Sequence, residues 1–87
     1  MRYIKFEVYT SYVGTEDTIY EKFSDDTTDS FLEEYLDELI RNNAESYEYL
    51  ATGWDEEFDD EEEKDNYYAD CGGYWEEITK EKFDEEN

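Results

Sequence analysis

Residues 55–65 carry nine carboxylates and a single base, Lys64. Such a segment cannot be buried, because each unpaired charge taken out of water costs far more than a small domain can offset. The excess is not local. Residues 24–87 hold 25 acids and four bases, a net of -21, whereas residues 1–23 hold four acids and three bases, a net of -1. Any core must therefore be gathered from the apolar residues between the acids, and many of these are aromatic: ten Tyr, five Phe and two Trp in 87 residues. Acidic chains poor in aromatics stay disordered. Here each aromatic can withdraw about 150–250 Å² from water, so about six to eight of them can close a small core. The expectation is a folded but marginal single domain over residues 1–87, strained by its own like charges and stabilised by added salt.

The same charge excludes several functions. A net charge of -22 is incompatible with direct nucleic-acid binding, which needs cations opposite the phosphates, and argues against anionic membrane surfaces. The absence of His and the presence of one Cys exclude the usual His/Cys metal centres, the Ser-His-Asp and Cys-His nucleophile systems and an internal disulfide. No cofactor is implied. No run approaches the roughly 20 apolar residues of a membrane span, and Arg2, Lys5 and Glu7 do not resemble a leader. A lone thiol fits a reducing compartment, so the cytoplasm is expected.

Periodicity supplies the elements. Tyr3 to Thr10 alternates, with Ile4, Phe6 and Val8 on one face and Lys5 and Glu7 on the other. Thr18 to Phe23 alternates again, with Ile19, Glu21 and Phe23 opposed to Tyr20 and Lys22. Gly14 lies between them and can take positive φ, which predicts a β-hairpin with a longish loop. Ser30 and Glu33 have capping-box spacing. Leu32, Tyr35, Leu36, Leu39 and Ile40 follow as one helical stripe, extendable through Ala44, Tyr47, Leu50 and Ala51 to a stop at Gly53. A second helix is predicted over roughly 57–70, with Phe58, Tyr68 and Cys71 as a thin apolar edge and Gly72-Gly73 as its end. Residues 74–78 read as a short strand and 79–83 as a capped turn. The fold class is therefore α+β: a small antiparallel sheet, made of the N-terminal hairpin plus a C-terminal strand, packed with two helices in the order ββααβ. Phe6, Val8, Ile19, Phe23, Leu36 and Ile40 form the predicted core. Trp75 is expected to join it, and Trp54 is either core or an interface anchor.

As a helix, residues 55–65 would rise about 16 Å, and eight net negative charges over that length approach the density of duplex DNA, one per about 1.7 Å. The outer face of the first helix adds Glu34, Asp37 and Glu38. Carboxylates can take the arginine contacts that phosphates normally take, and interspersed aromatics can imitate bases or anchor an interface. An alternative use of the acids is Ca²⁺ binding. An EF-hand register starting at Asp55 puts Asp60 where Gly is required and Asn66 where Glu is required, so the match fails. No carboxylate pair stands out as an acid/base couple, and an enzyme is not expected. Cys71, surrounded by acids and lacking His, is expected to have a raised pKa and to be a small core residue.

The segment Gly53-Trp54-Asp55-Glu56-Glu57-Phe58-Asp59-Asp60-Glu61-Glu62-Glu63 resembles the small acidic anti-CRISPR proteins of phages that block a Cas nuclease, one family of which has a Gly-Trp followed by an aromatic-punctuated acidic run. The resemblance extends to size, charge and a small sheet combined with helices. It implies an inhibitor whose acidic surface fills the site that reads the motif flanking the target, with Asp55, Glu56, Glu57, Asp59, Asp60, Glu61, Glu62 and Glu63 as phosphate or base-edge mimics. Trp54, Asp65, Glu34, Asp37 and Glu38 complete the candidate partner-binding set. The expected partner is a basic nucleic-acid-binding protein, foremost a CRISPR-Cas effector in the infected bacterial host. A restriction enzyme or a DNA-repair glycosylase is the nearest rival target. An acidic adaptor or chaperone for basic proteins is the rival of a different class.

Overall fold

A computed structural model of the chain describes residues 1–53 and 58–86. Trp54, Asp55, Glu56 and Glu57, all candidate site residues, lie outside the described residues. Among the described residues seven elements follow in order: β1 (Arg2–Tyr9), β2 (Asp17–Phe23), α1 (Asp29–Ser46), α2 (Glu48–Thr52), α3 (Glu61–Asp70), β3 (Gly72–Ile78) and α4 (Lys80–Glu86). The fold is the expected α+β arrangement, with β1 central in an antiparallel sheet of order β2-β1-β3. Two short helices, α2 and α4, extend the predicted pattern.

Alternation sets the register. Phe6 lies opposite Ile19 on β2 and Trp75 on β3, so one sheet face collects Ile4, Phe6, Val8, Ile19, Phe23 and Trp75. The stripe of α1 packs on this face, burying Leu32 and Leu36 against Ile4, Phe6 and Val8, with Tyr35, Leu39 and Ile40 partly covered at the margin. Phe23 sits edge-on to Phe6, Phe31 and Tyr35, at centroid separations of 6.1, 6.0 and 5.3 Å. Aromatics therefore fill the volume that a short aliphatic stripe leaves open, as the composition required. On the opposite face Phe83 of α4 covers the ring of Tyr3 (centroids 5.1 Å apart).

The hairpin loop turns at Gly14, where φ is +86°. It is closed by two buried threonines that the alternation pattern did not single out. The Thr15 hydroxyl donates to the Tyr12 carbonyl (2.8 Å), so in the 2.7 Å pair with Thr10 it is Thr10 that donates. The Thr15 hydroxyl oxygen also accepts from the Thr10 amide, the Thr10 hydroxyl oxygen accepts from the Tyr12 amide, and Asn43 of α1 donates to the Thr15 carbonyl. Buried hydroxyls with every proton placed make a rigid loop.

The structure corrects several boundaries. The N-cap of α1 is Thr28, whose hydroxyl accepts from the Phe31 amide at 3.1 Å, and Ser30 lies inside the helix. The capping box is not formed, since Ser30 is not the cap, and the Glu33 carboxylate instead accepts from Trp75 Nε1 at 2.9 Å. The long stripe breaks at Tyr47, and Gly53 ends α2 at φ +68° as anticipated. The second acidic helix begins four residues later than the expected 57, because the Asp60 side chain accepts from the Glu62 amide and caps it. Phe58 and Asp59 therefore precede α3. Tyr67, rather than Tyr68, is its buried residue. Gly72 and Gly73 do not end a helix. They are strand residues paired with Tyr9 and Val8. Cys71 is half-buried between α3 and β3 rather than a core residue.

Candidate acidic interface

Three of the seven cationic side chains pair with acids of the fold itself. Arg2 stands at the start of β1 and reaches both neighbouring layers. Its guanidinium donates to Asp29 (3.0 Å), to Glu77 (2.9 and 3.2 Å) and to the Thr27 carbonyl (2.6 Å). Those carboxylates raise its pKa above the ordinary arginine value, and the same contact holds Glu77 below the usual carboxylate range. Lys5 pairs with Glu7 at 3.0 Å and lies 4.0 Å from Glu76, while Tyr74 donates its hydroxyl to Glu7. The Tyr74 bond, then Lys5, lowers the Glu7 pKa. Lys82 pairs with Glu86 within α4.

The remaining exposed charge is mostly acid, with Lys22, Arg41, Lys64 and Lys80 set among it. On α1, Glu34, Asp37, Glu38 and Glu45 are exposed on the side away from the core, where burying a carboxylate is unnecessary. Arg41 and Asn42 share one surface hollow with Glu34, Asp37 and Glu38, so this patch is interrupted by a cation that the acid pattern alone did not register. On the second acidic segment, Asp59, Asp60, Glu61, Glu62, Glu63 and Asp65 are all exposed. Three of them, Glu61, Glu62 and Glu63, occupy the first turn of α3, where the positive end of the helix dipole favours carboxylates. That local gain lets the helix form despite its charge.

Tyr67 fixes where α3 sits. Its ring is buried and its hydroxyl donates to the Ala44 carbonyl at 2.7 Å, near the C-terminal end of α1. Tyr68 donates to Glu48 on α2. Burial, before any neighbouring charge, pushes both phenols above their ordinary pKa. Ala44 lies ten residues beyond Glu34, about 15 Å along α1, so this bond anchors α3 near the end of α1 that follows the acids Glu34, Asp37 and Glu38. Burial also raises the Cys71 thiol, with Asp70 adding to it; the thiol donates to the Tyr67 carbonyl at 3.3 Å. The direction is the expected one, but the main cause is burial rather than surrounding acid.

Among the described residues no group of three His, Cys, Asp or Glu side chains converges to hold a metal ion, and no helix is long and apolar enough to cross a membrane. No protein-family model matches the chain, and no curated protein or solved structure matches it.

Proposed function

We propose that this chain is a nucleic-acid mimic: an inhibitor without chemistry of its own that occupies the basic DNA- or RNA-binding cleft of a CRISPR-Cas effector and excludes the nucleic acid, as a phage counter-defence protein would. The observation that carries the reading is linear charge density. The body is 45 Å long, and 22 net negative charges spread over it average one per about 2 Å. Duplex DNA carries one per about 1.7 Å of axis. Arg2, Lys5 and Lys82 are paired with acids of the fold itself, which leaves Lys22, Arg41, Lys64 and Lys80 as the cations standing among the remaining outer acids. A cationic groove would be attracted at long range and would release its counterions to this surface as it does to DNA.

The test is competition. Purified CRISPR effectors of several types, with a restriction endonuclease and a DNA-repair glycosylase beside them, are titrated with the protein while binding of labelled target DNA is followed. One effector should lose its DNA at a defined stoichiometry, and the inhibition should weaken steeply as salt is raised. Replacing Glu61, Glu62 and Asp65 by Gln, Gln and Asn should weaken inhibition by at least about tenfold, whereas neutralising Asp84 and Glu85 on α4 should not. Asp60 is left intact because it caps α3. Undisturbed DNA binding across the whole panel, or inhibition indifferent to salt, would refute the reading. Tight binding to histone-like proteins that DNA fails to displace would favour an acidic adaptor instead.

A further inference from the structure

Beside α3 the surface opens into a cleft of about 280 Å³ between the β1–β2 loop, α2 and α3. Its walls are aromatic and its rim is acidic. Tyr12 comes from the loop, Phe58 from the segment before α3, and Tyr67 from α3 itself. The rings of Tyr12 and Phe58 lie 6.3 and 5.8 Å from that of Tyr67, tilted by 43° and 37°. Glu63, Asn66, Tyr67 and Asp70 follow at i, i+3, i+4 and i+7, so a carboxylate stands on each side of Tyr67 along one face of the helix. All seven cationic side chains of the protein lie among the described residues, and none forms an ion pair with Glu63 or Asp70.

Two features show the charge this cleft is suited to. Asp70 is the last residue of α3, where the helix dipole is negative and a base is the stabilising choice, yet the last turn contains none. The helix end and the carboxylate therefore add their negative potentials beside an aromatic wall. The wall is also held in place without a ligand. The backbone of Tyr12 is set by the Thr10–Thr15 hydroxyl network and the buried ring of Tyr67 by its bond to Ala44, while Tyr12 remains more than a third exposed. A phosphate would be repelled here. An ammonium would find the charge and could sit over a ring face, but it could not lie flat against the ring while offering a fork of donors to a carboxylate. A guanidinium can lie against a ring and present its edge to a carboxylate at the same time. The cleft falls just below the roughly 300–1,000 Å³ of small-molecule sites, a volume suited to one long side chain.

We propose that this cleft is a socket for a single arginine side chain of the partner protein, stacked on the exposed ring of Tyr12 and hydrogen-bonded to Glu63 or Asp70. The proposal rests on the reading of the partner as a basic protein and adds the position at which one of its cations is recognised individually rather than by bulk charge.

N-acetyl-arginine amide is the probe, titrated into the intact protein at constant ionic strength and followed by two-dimensional amide NMR, with N-acetyl-lysine amide in parallel. Saturable shifts should concentrate on Tyr12, Asn66, Tyr67 and Asp70, and the lysine probe should bind about threefold or more weakly. Tyr12→Ala and Asp70→Asn should each weaken arginine binding while leaving the rest of the spectrum in place. Tyr12 contributes backbone atoms to the loop network, and removing an acid from a helix C-terminus does not threaten α3. Shifts spread equally over Glu34, Asp37 and the cleft, equal affinity for the two probes, or insensitivity to both variants would each overturn the socket. No nuclease enters this assay, so its failure leaves the mimicry reading to its own competition test, and failure of the mimicry test leaves this result standing.

Discussion

Replacing Gly73 by Ala sets two general rules against each other, and the structure decides between them. Glycine within a strand is the poorer choice by about 0.5–1 kcal/mol relative to alanine, so the substitution would ordinarily stabilise. At Gly73, however, an added Cβ would meet the Glu7 carbonyl oxygen closer than 3.0 Å, a separation that Cβ atoms essentially never show, and would lie 3.1 Å from Val8 Cγ1 and 3.2 Å from Ile40 Cγ1. The obstacle is backbone on the central strand and cannot rotate away. β3 must move off β1, which adds about 1–3 kcal/mol of overpacking and weakens ladder bonds worth about 1 kcal/mol each. After subtracting the propensity gain, the net loss is about 2–4 kcal/mol. For a domain of this size that lowers Tm by about 10–25 °C. Gly72→Ala is the matched control. Its Cβ would meet the ring of Tyr9 at 2.8–3.3 Å, but that ring is exposed and can swing aside, so the change should be small. Thermal and urea unfolding of the two variants, in salt sufficient to hold the wild type fully folded, provide the assay. A Gly73→Ala protein melting at or above the wild-type temperature would refute the close β1–β3 approach on which the register rests.

Three further outcomes follow from the geometry. Thr28→Ala should cost about 1 kcal/mol by removing the cap of α1, whereas Ser30→Ala, inside the helix, should be neutral or slightly stabilising; urea midpoints of the two variants check this. Glu7 and Glu77 have pKa values held below the ordinary 4.5, so the stability they supply is complete above that value and is lost as pH falls through their folded-state values. Accordingly, Glu77→Gln should flatten the acid limb of a stability–pH profile; an unchanged limb would show that the Arg2 contact does not hold Glu77 ionised. Raising sodium chloride from low to physiological ionic strength and beyond should raise Tm by at least about 5 °C, because screening relieves the repulsion of a net -22 body; a flat or falling Tm would show that the charges are already balanced locally.

The hairpin, the stripe of α1 and the existence of a C-terminal strand were legible because each depends on a period that water enforces: one face must be apolar, and Ile4, Phe6, Val8, Leu32 and Leu36 are. The boundaries were less legible because they depend on single side chains with alternative partners. Glu33 has the spacing of a capping residue, but a tryptophan nitrogen on β3 claims it. Gly72-Gly73 has the composition of a helix stop, but it lies opposite Tyr9 and Val8 in the ladder, where a larger residue would not fit at the second position. The exposed acids of α3 could be read directly, since charge cannot hide. That Tyr67 rather than Tyr68 is buried could not, because both lie next to each other on a helix with almost no apolar face, and the choice is made by Ala44 on another element. Trp54 to Glu57 lie outside the described residues.

Of the three strands, the one synthesised earliest is the middle strand of the sheet, and its second neighbour is made some sixty residues later. Until β3 arrives, the greasiest ribbon in the chain offers one bare flank to any passing polypeptide, the usual prelude to clumping. Newborn copies nevertheless share a strong like charge as the acidic C-terminal portion emerges, and they repel one another during that vulnerable interval. The carboxylates proposed to deceive a foreign groove would thus also act as an escort for the protein's own assembly.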